Sequence, residues 1–218
     1  MLMECGDYLR LLAEDIHTVA VATVGADGRP KLRAIDIMLW DEDGVYFLTA
    51  RGKSFYAELV DQGFIALTGI KGKISVSLRG EVQDIGGERL DEIFEKNPYM
   101  KEIYPGRTRE ALTVFRLSKA VGEYFDISVP SRVRRDSFTI GGARAVETGY
   151  FVGGAGASET GYFVGSGCIG CGRCLRACPQ RCIDLSSGRA LIDQKRCLHC
   201  GRCATACPSR VIERRGIA

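Results

Sequence analysis

The chain has 218 residues, 45% hydrophobic and 26% charged, a composition that fits a globular protein and a length that fits one ordinary domain plus a small one. Met1–Tyr8 has neither a basic start nor an apolar run, and no stretch is apolar for the length a bilayer demands, so the expectation is a cytoplasmic protein with no membrane partner. The net charge of +3 is unevenly divided: from Ser166 onward ten Lys and Arg face three Asp and Glu, a formal +7, which leaves −4 before it. Those basic residues track cysteines rather than forming a stripe with aromatics, which argues against nucleic acid.

Taken in order, Glu4–Glu14 reads as a short amphipathic helix with Tyr8, Leu9 and Leu12 inward. The period then changes to two. His17–Val24 is a predicted strand, Gly25-Ala-Asp-Gly-Arg-Pro30 a turn, and Lys31–Trp40 a second strand. Asp41–Gly44 turns the chain into a third strand at Val45–Ala50. Phe55–Gln62 has a helical pattern, strands follow at Phe64–Ile70 and Lys73–Ile85, and Gly87–Asn97 returns to helix. A last pair of strands is expected at Leu112–Lys119 and Gly122–Ile127. Short strands at close intervals with few helices suggest a small β-barrel within an α+β protein.

Residues 129–161 are rich in Gly and Ser and hold a tandem duplication, Glu147-Thr-Gly-Tyr-Phe-Val-Gly153 and Glu159-Thr-Gly-Tyr-Phe-Val-Gly165. They read as a linker between a domain at 1–128 and another at 162–218, with the second copy supplying the latter's first strand.

That last domain carries the firmest chemistry. Cys168-Ile-Gly-Cys171-Gly-Arg-Cys174-Leu-Arg-Ala-Cys178-Pro179 is repeated in spacing as Cys197-Leu-His-Cys200-Gly-Arg-Cys203-Ala-Thr-Ala-Cys207-Pro208. Three cysteines at two-residue intervals wrap one face of a cubane, and a distant fourth reaches the remaining iron; the Cys-x-x-Cys-x-x-Cys-x-x-x-Cys-Pro run holds a [4Fe–4S] cluster, and with two runs the fourth cysteine serves the other cluster. One cluster is therefore assigned to Cys168, Cys171, Cys174 and Cys207, the other to Cys197, Cys200, Cys203 and Cys178. Zinc would favour two pairs of ligands, and disulfides an oxidising compartment. Arg173, Arg176, Arg181, Arg196, Arg202 and Arg210 lie close to the ligands, where positive charge favours added electrons and suits an acidic partner. Cys182 reads as a packed thiol. His199 either tunes its cluster or simply lies exposed on the loop. The segment from about 162 to 213 resembles the bacterial two-cluster ferredoxins.

The front part resembles the pyridoxamine 5′-phosphate oxidase-like split-barrel flavoproteins over about residues 5–128. The resemblance rests on Ala22-Thr-Val-Gly-Ala-Asp-Gly-Arg-Pro30, on Tyr46-Phe-Leu-Thr-Ala-Arg-Gly-Lys-Ser54 with its following helix, and on Leu78-Arg-Gly-Glu-Val82. It implies a split barrel that binds FMN, usually at a homodimer interface. By position it places Arg33, Ala34, Ile35 and Asp36 along the flavin, and Thr49, Lys53 and Ser54 at its phosphate, with Arg51 and Arg79 as weaker candidates. A hydroxyl, an ammonium and free amides at a helix start form an anion site.

The oxidase's C-terminal Arg and His segment, which grips the substrate, has no counterpart here. Flavin beside two clusters implies an FMN-dependent iron–sulfur oxidoreductase that passes electrons between the clusters and a flavin acting on an unidentified small substrate. A redox partner protein would serve the clusters. The alternative is an electron carrier or adaptor without its own substrate; vitamin B6 oxidation ranks last. No catalytic acid or base stands out, although Asp36, Tyr46 and Tyr56 could line a cleft.

Overall fold

A computed structural model describes residues 3–130, 132–143, 161–194 and 196–215. Two units emerge, one built from residues up to Tyr124 with a return segment from Phe138, the other from Phe125–Ser137 and the C-terminal module.

The first unit begins with helix α1 (Cys5–Arg10), which runs into a π-helical turn at Leu11–Ile16. Strands β1 (Thr18–Val24), β2 (Pro30–Asp41) and β3 (Gly44–Ala50) follow as antiparallel neighbours. Helix α2 (Ser54–Gln62) leads into β4 (Phe64–Lys71) and β5 (Ile74–Asp84). The short helices α3 (Leu90–Lys96) and α4 (Met100–Ile103) and a 3₁₀ turn at Gly106–Ala111 precede β6 (Leu112–Val129) and β7 (Arg132–Ile140), of which residues 125–129 and 132–137 belong to the second unit. The strand order is β3-β2-β1-β4-β5-β6-β7, and β3 also pairs with β6, so six strands close into a barrel with β7 added outside the ring.

Alternation fixes what the barrel encloses. In β1, Val19, Val21 and Thr23 point inward, and in β5, Val76, Leu78 and Val82 do the same. All of these but Thr23 join Leu9, Leu12, Ile37, Phe47, Phe55 and Phe115 in one core. A smaller core lies on the other face of β2, β3 and β6, where Ile93, Phe94 and Met100 cover Leu39, Tyr46, Leu48 and Val114. Gly80 shows why the Arg-Gly pair stands in β5: a Cβ there would come 2.1 Å from the Lys119 carbonyl oxygen.

Two expectations are corrected here. The segment expected as two strands after Leu112 is one strand of 18 residues. Gly122, expected to open the second of those strands, lies inside the single strand and leaves room for the Phe138 ring, whose Cζ lies 2.2 Å from where a Cβ would be. The stretch 129–161 was expected to be linker, yet Arg132–Ile140 forms β7, with Phe138 and Ile140 buried in the barrel core. The first copy of the tandem repeat lies outside the described residues.

In the second unit, β8 (Gly161–Val164) pairs antiparallel with β11 (Ile212–Arg215), and β9 (Ile183–Asp184) with β10 (Leu191–Ile192). Strand β8 falls in the second repeat copy, where a first strand was expected. Each cysteine run contributes a short helix, α5 (Arg173–Ala177) and α6 (Arg202–Thr205), that carries its third cysteine. Among the described residues, no helix is long and apolar enough to cross a membrane.

Candidate functional site

The cysteines fold into two cavities. Cys168, Cys171, Cys174 and Cys207 line one, and Cys178, Cys197, Cys200 and Cys203, together with Cys182, line the other. The two are alike in size, as a duplicated motif requires. The fourth cysteine of each run thus lines the cavity of the other run. Local geometry explains the glycines: Gly170, Gly172 and Gly201 have φ of 66°, 71° and 76°, the left-handed conformation that bends each loop around its cavity. Among the described residues, no three His, Cys, Asp or Glu side chains converge on a point suited to a single ion. Sulfurs spread around a cavity suit a polynuclear cluster, so the donor set fits two iron–sulfur clusters.

Cys182 is more than filler. It is buried with its Sγ 3.4 Å from Cys178 Sγ. Burial first, and the neighbouring Cys178 second, push its thiol up to about 12. At that distance its thiol can donate to the Cys178 sulfur. His199 is exposed, with φ of 52°, and its backbone N–H donates to Cys197 Sγ at 3.3 Å. Partial desolvation of the ring first, and then Arg135 and Arg214, lower its pKa.

In the barrel, the residues expected along a flavin divide between two faces of β2. Arg33 and Ile35 lie on the face that leads to the core, while Ala34 and Asp36 lie on the other. Arg33 is held firmly. Its guanidinium lies 4.3 Å from the Phe55 ring centroid and donates at 2.8 Å to both Thr23 Oγ1 and Glu58 Oε2. Lys31 Nζ donates to Glu58 Oε1 at 2.9 Å. Glu58 is only 7% exposed, and Lys31, Thr23 and Arg33 hold its carboxyl down at about 2 despite burial. Nothing in the helical pattern of Phe55–Gln62 singled out this glutamate.

Lys53 is the N-cap of α2, extended at φ −87° and ψ 147°, and Lys53 and Ser54 are both exposed there. The first amides of a helix have no acceptor within it, so this end offers donors beside an ammonium and a hydroxyl. Thr49 stands apart from them, buried in β3 opposite Thr113. Arg51 is committed to the Glu110 carbonyl at 3.1 Å, and Arg79 lies 5.7 Å from the Phe64 ring centroid. Tyr46 is buried, donates to Asp41 at 3.0 Å and lies under Arg89. Tyr56 is half-buried, with its ring edge against Phe115.

Asp36 is part of a cluster that sequence reading missed. Its carboxylate accepts from Thr18 Oγ1 at 2.7 Å and from Tyr99 Oη at 3.1 Å. His17 Nε2 lies 3.0 Å from the same Tyr99 oxygen, and its Nδ1 lies 3.2 Å from the Ala13 carbonyl. Burial and Asp36 push the Tyr99 hydroxyl up to about 12. His17 has φ of 65°, costly for a residue with a Cβ, directly after the π-helical turn. No local signal joins positions 82 residues apart.

Comparison with known proteins agrees with both halves. The model of the pyridoxamine 5′-phosphate oxidase family matches residues 7–123, more than half of the chain. The chain belongs to the pyridoxamine 5′-phosphate oxidase family. A model described as a 4Fe-4S dicluster domain matches residues 167–211, which gives this family member a ferredoxin-like module beside its flavin-binding type of fold. A pyridoxine/pyridoxamine 5′-phosphate oxidase of Sinorhizobium fredii is 30% identical over 115 residues; the match covers 50% of this chain and 56% of that protein's length. The chain thus spans little more than half of that curated relative. Among solved structures, a NimC/NimA family protein from Clostridium acetobutylicum superposes with a TM-score of 0.52 at 18% identity, over 62% of this chain and 92% of that one. A heme binding protein from Mycobacterium smegmatis gives 0.50 at 13% identity, over 64% and 59%. At such identities these likenesses show the split-barrel fold alone.

Proposed function

We propose that this protein is an FMN-dependent iron–sulfur oxidoreductase in which two [4Fe–4S] clusters exchange electrons with a flavin that acts on a small substrate. The observation that carries this reading is the pair of cysteine-lined cavities on a chain whose other half belongs to a flavin-binding family. Clusters move single electrons while a flavin holds one or two, so the pair couples one-electron donors to two-electron chemistry.

Each part of the chain has a role in that scheme. Cys168, Cys171, Cys174 and Cys207 hold one cluster, and Cys178, Cys197, Cys200 and Cys203 the other. Lys53, Ser54 and the first amides of α2 bind the FMN phosphate. Arg33 acts through the stack with Phe55, the residue after Ser54, and braces the start of that helix against β2. The exposed outer side of β2, with Leu32 at 71% exposure and Ala34 beside it, supports a homodimer through the barrel. A cytoplasmic setting suits clusters that oxygen destroys.

Anaerobic purification followed by reconstitution with FMN tests the reading. About one flavin per chain is expected beside iron and sulfide for two clusters. A protein with clusters that retains no flavin would instead be an electron carrier.

A further inference from the structure

The twin motif allows equivalent positions of the two ligand loops to be compared within one unit. Cys171 and Cys200 are both exposed, as are Arg173 and Arg202. The surroundings differ. After the leading cysteine, Ile169 is 70% exposed and Leu198 43%. On the following helices, Leu175 is 40% exposed and Arg176 is exposed, where the second loop has the half-buried Ala204 and the uncharged Thr205. Nη1 of Arg176 comes within 3.7 Å of where a side chain at Gly172 would begin, so its charge lies over the loop next to Cys171. Neither Arg173 nor Arg176 is in a salt bridge among the described residues.

We infer that the cluster of Cys168, Cys171, Cys174 and Cys207 is the external port, and that Ile169, Leu175, Arg173 and Arg176 form the docking surface for a small acidic one-electron carrier protein. This rests on the proposal that the clusters feed the flavin. Exposed apolar side chains interspersed with arginines outside any salt bridge suit a protein interface, whereas a small molecule would want a concavity. The arginines select an acidic partner and speed the encounter; the apolar side chains exclude water near the exposed ligand loop. Each encounter moves one electron: the carrier's centre is oxidised by one, the cluster is reduced by one, and no bond forms or breaks.

The test uses the anaerobic, cluster-loaded full chain and an acidic [2Fe–2S] ferredoxin as probe, with binding of the oxidised probe measured at low and high salt. Arg173→Glu/Arg176→Glu and, separately, Ile169→Glu should each raise Kd about tenfold or more, and the charge reversal should flatten the salt dependence. The matched Leu198→Glu and Arg202→Glu variants should change Kd by less than about twofold. Iron content and bleaching by excess reduced methyl viologen should persist in all of them. Equal losses from the two loops, no binding by the unaltered chain at low salt, or equally tight binding of a DNA duplex would overturn the inference. Clusters that viologen cannot reduce would instead remove the functional reading beneath it.

Discussion

Arg33 donates to the carboxylate of Glu58 across 2.8 Å, joining the middle of β2 to α2. With Lys31 and Thr23 also on Glu58, this buried network sets the position of the helix whose start is the proposed phosphate site.

Replacing Glu58 with Gln should destabilise the barrel by about 1–3 kcal/mol near neutral pH, the cost of weakening charge-assisted bonds at a buried site. The folded-state carboxyl is held at about 2, below its ordinary value near 4.5. The stabilisation is therefore complete above about pH 5 and disappears as pH falls toward 2. Urea unfolding followed through Trp40, the single tryptophan, would show the gap between wild type and variant closing on acidification.

Lys53→Ala should weaken FMN retention by about tenfold, the scale of one charge-assisted contact, without changing iron content. Flavin released after gel filtration, together with an iron assay, measures both. Unchanged retention would remove Lys53 from the phosphate site.

Gly80→Ala should cost about 3 kcal/mol or more, because the added methyl has only backbone to displace. Its Cβ would meet the Lys119 carbonyl at 2.1 Å and Ala120 Cα at 2.5 Å. Loss of the cooperative Trp40 transition while the clusters persist would locate the damage in the barrel.

Cys182→Ala should leave iron and sulfide unchanged, since Cys182 is no assigned ligand. It removes a donor 3.4 Å from Cys178 Sγ, so one of two cluster potentials should fall by a few tens of millivolts, roughly the value of one hydrogen bond. An anaerobic redox titration followed by EPR separates this from outright loss of the cluster.

What sequence alone revealed was whatever is local. The turns at Gly25–Pro30 and Asp41–Gly44 and the alternation in β1 and β5 are written in neighbouring residues, and the cysteine spacing is itself the ligand geometry. Features made by distant partners stayed hidden. The need for a glycine at 122 was not legible, because the Phe138 ring that occupies its space arrives 16 residues later. Arg132–Ile140 looked like tether because its strand character depends on pairing with β6. Nothing local singled out Glu58, and the grouping of His17, Asp36 and Tyr99 exists only once the barrel has closed.

The central claim is that flavin and clusters on this chain share electrons. The most direct measurement is anaerobic stopped-flow reduction of the FMN-loaded protein by a substoichiometric one-electron donor, alongside a Cys168→Ser/Cys197→Ser variant lacking both clusters. The account predicts that cluster bleaching precedes flavin bleaching in the wild type, and that flavin reduction is far slower in the variant. Flavin that reduces at the same rate with and without the clusters would contradict it.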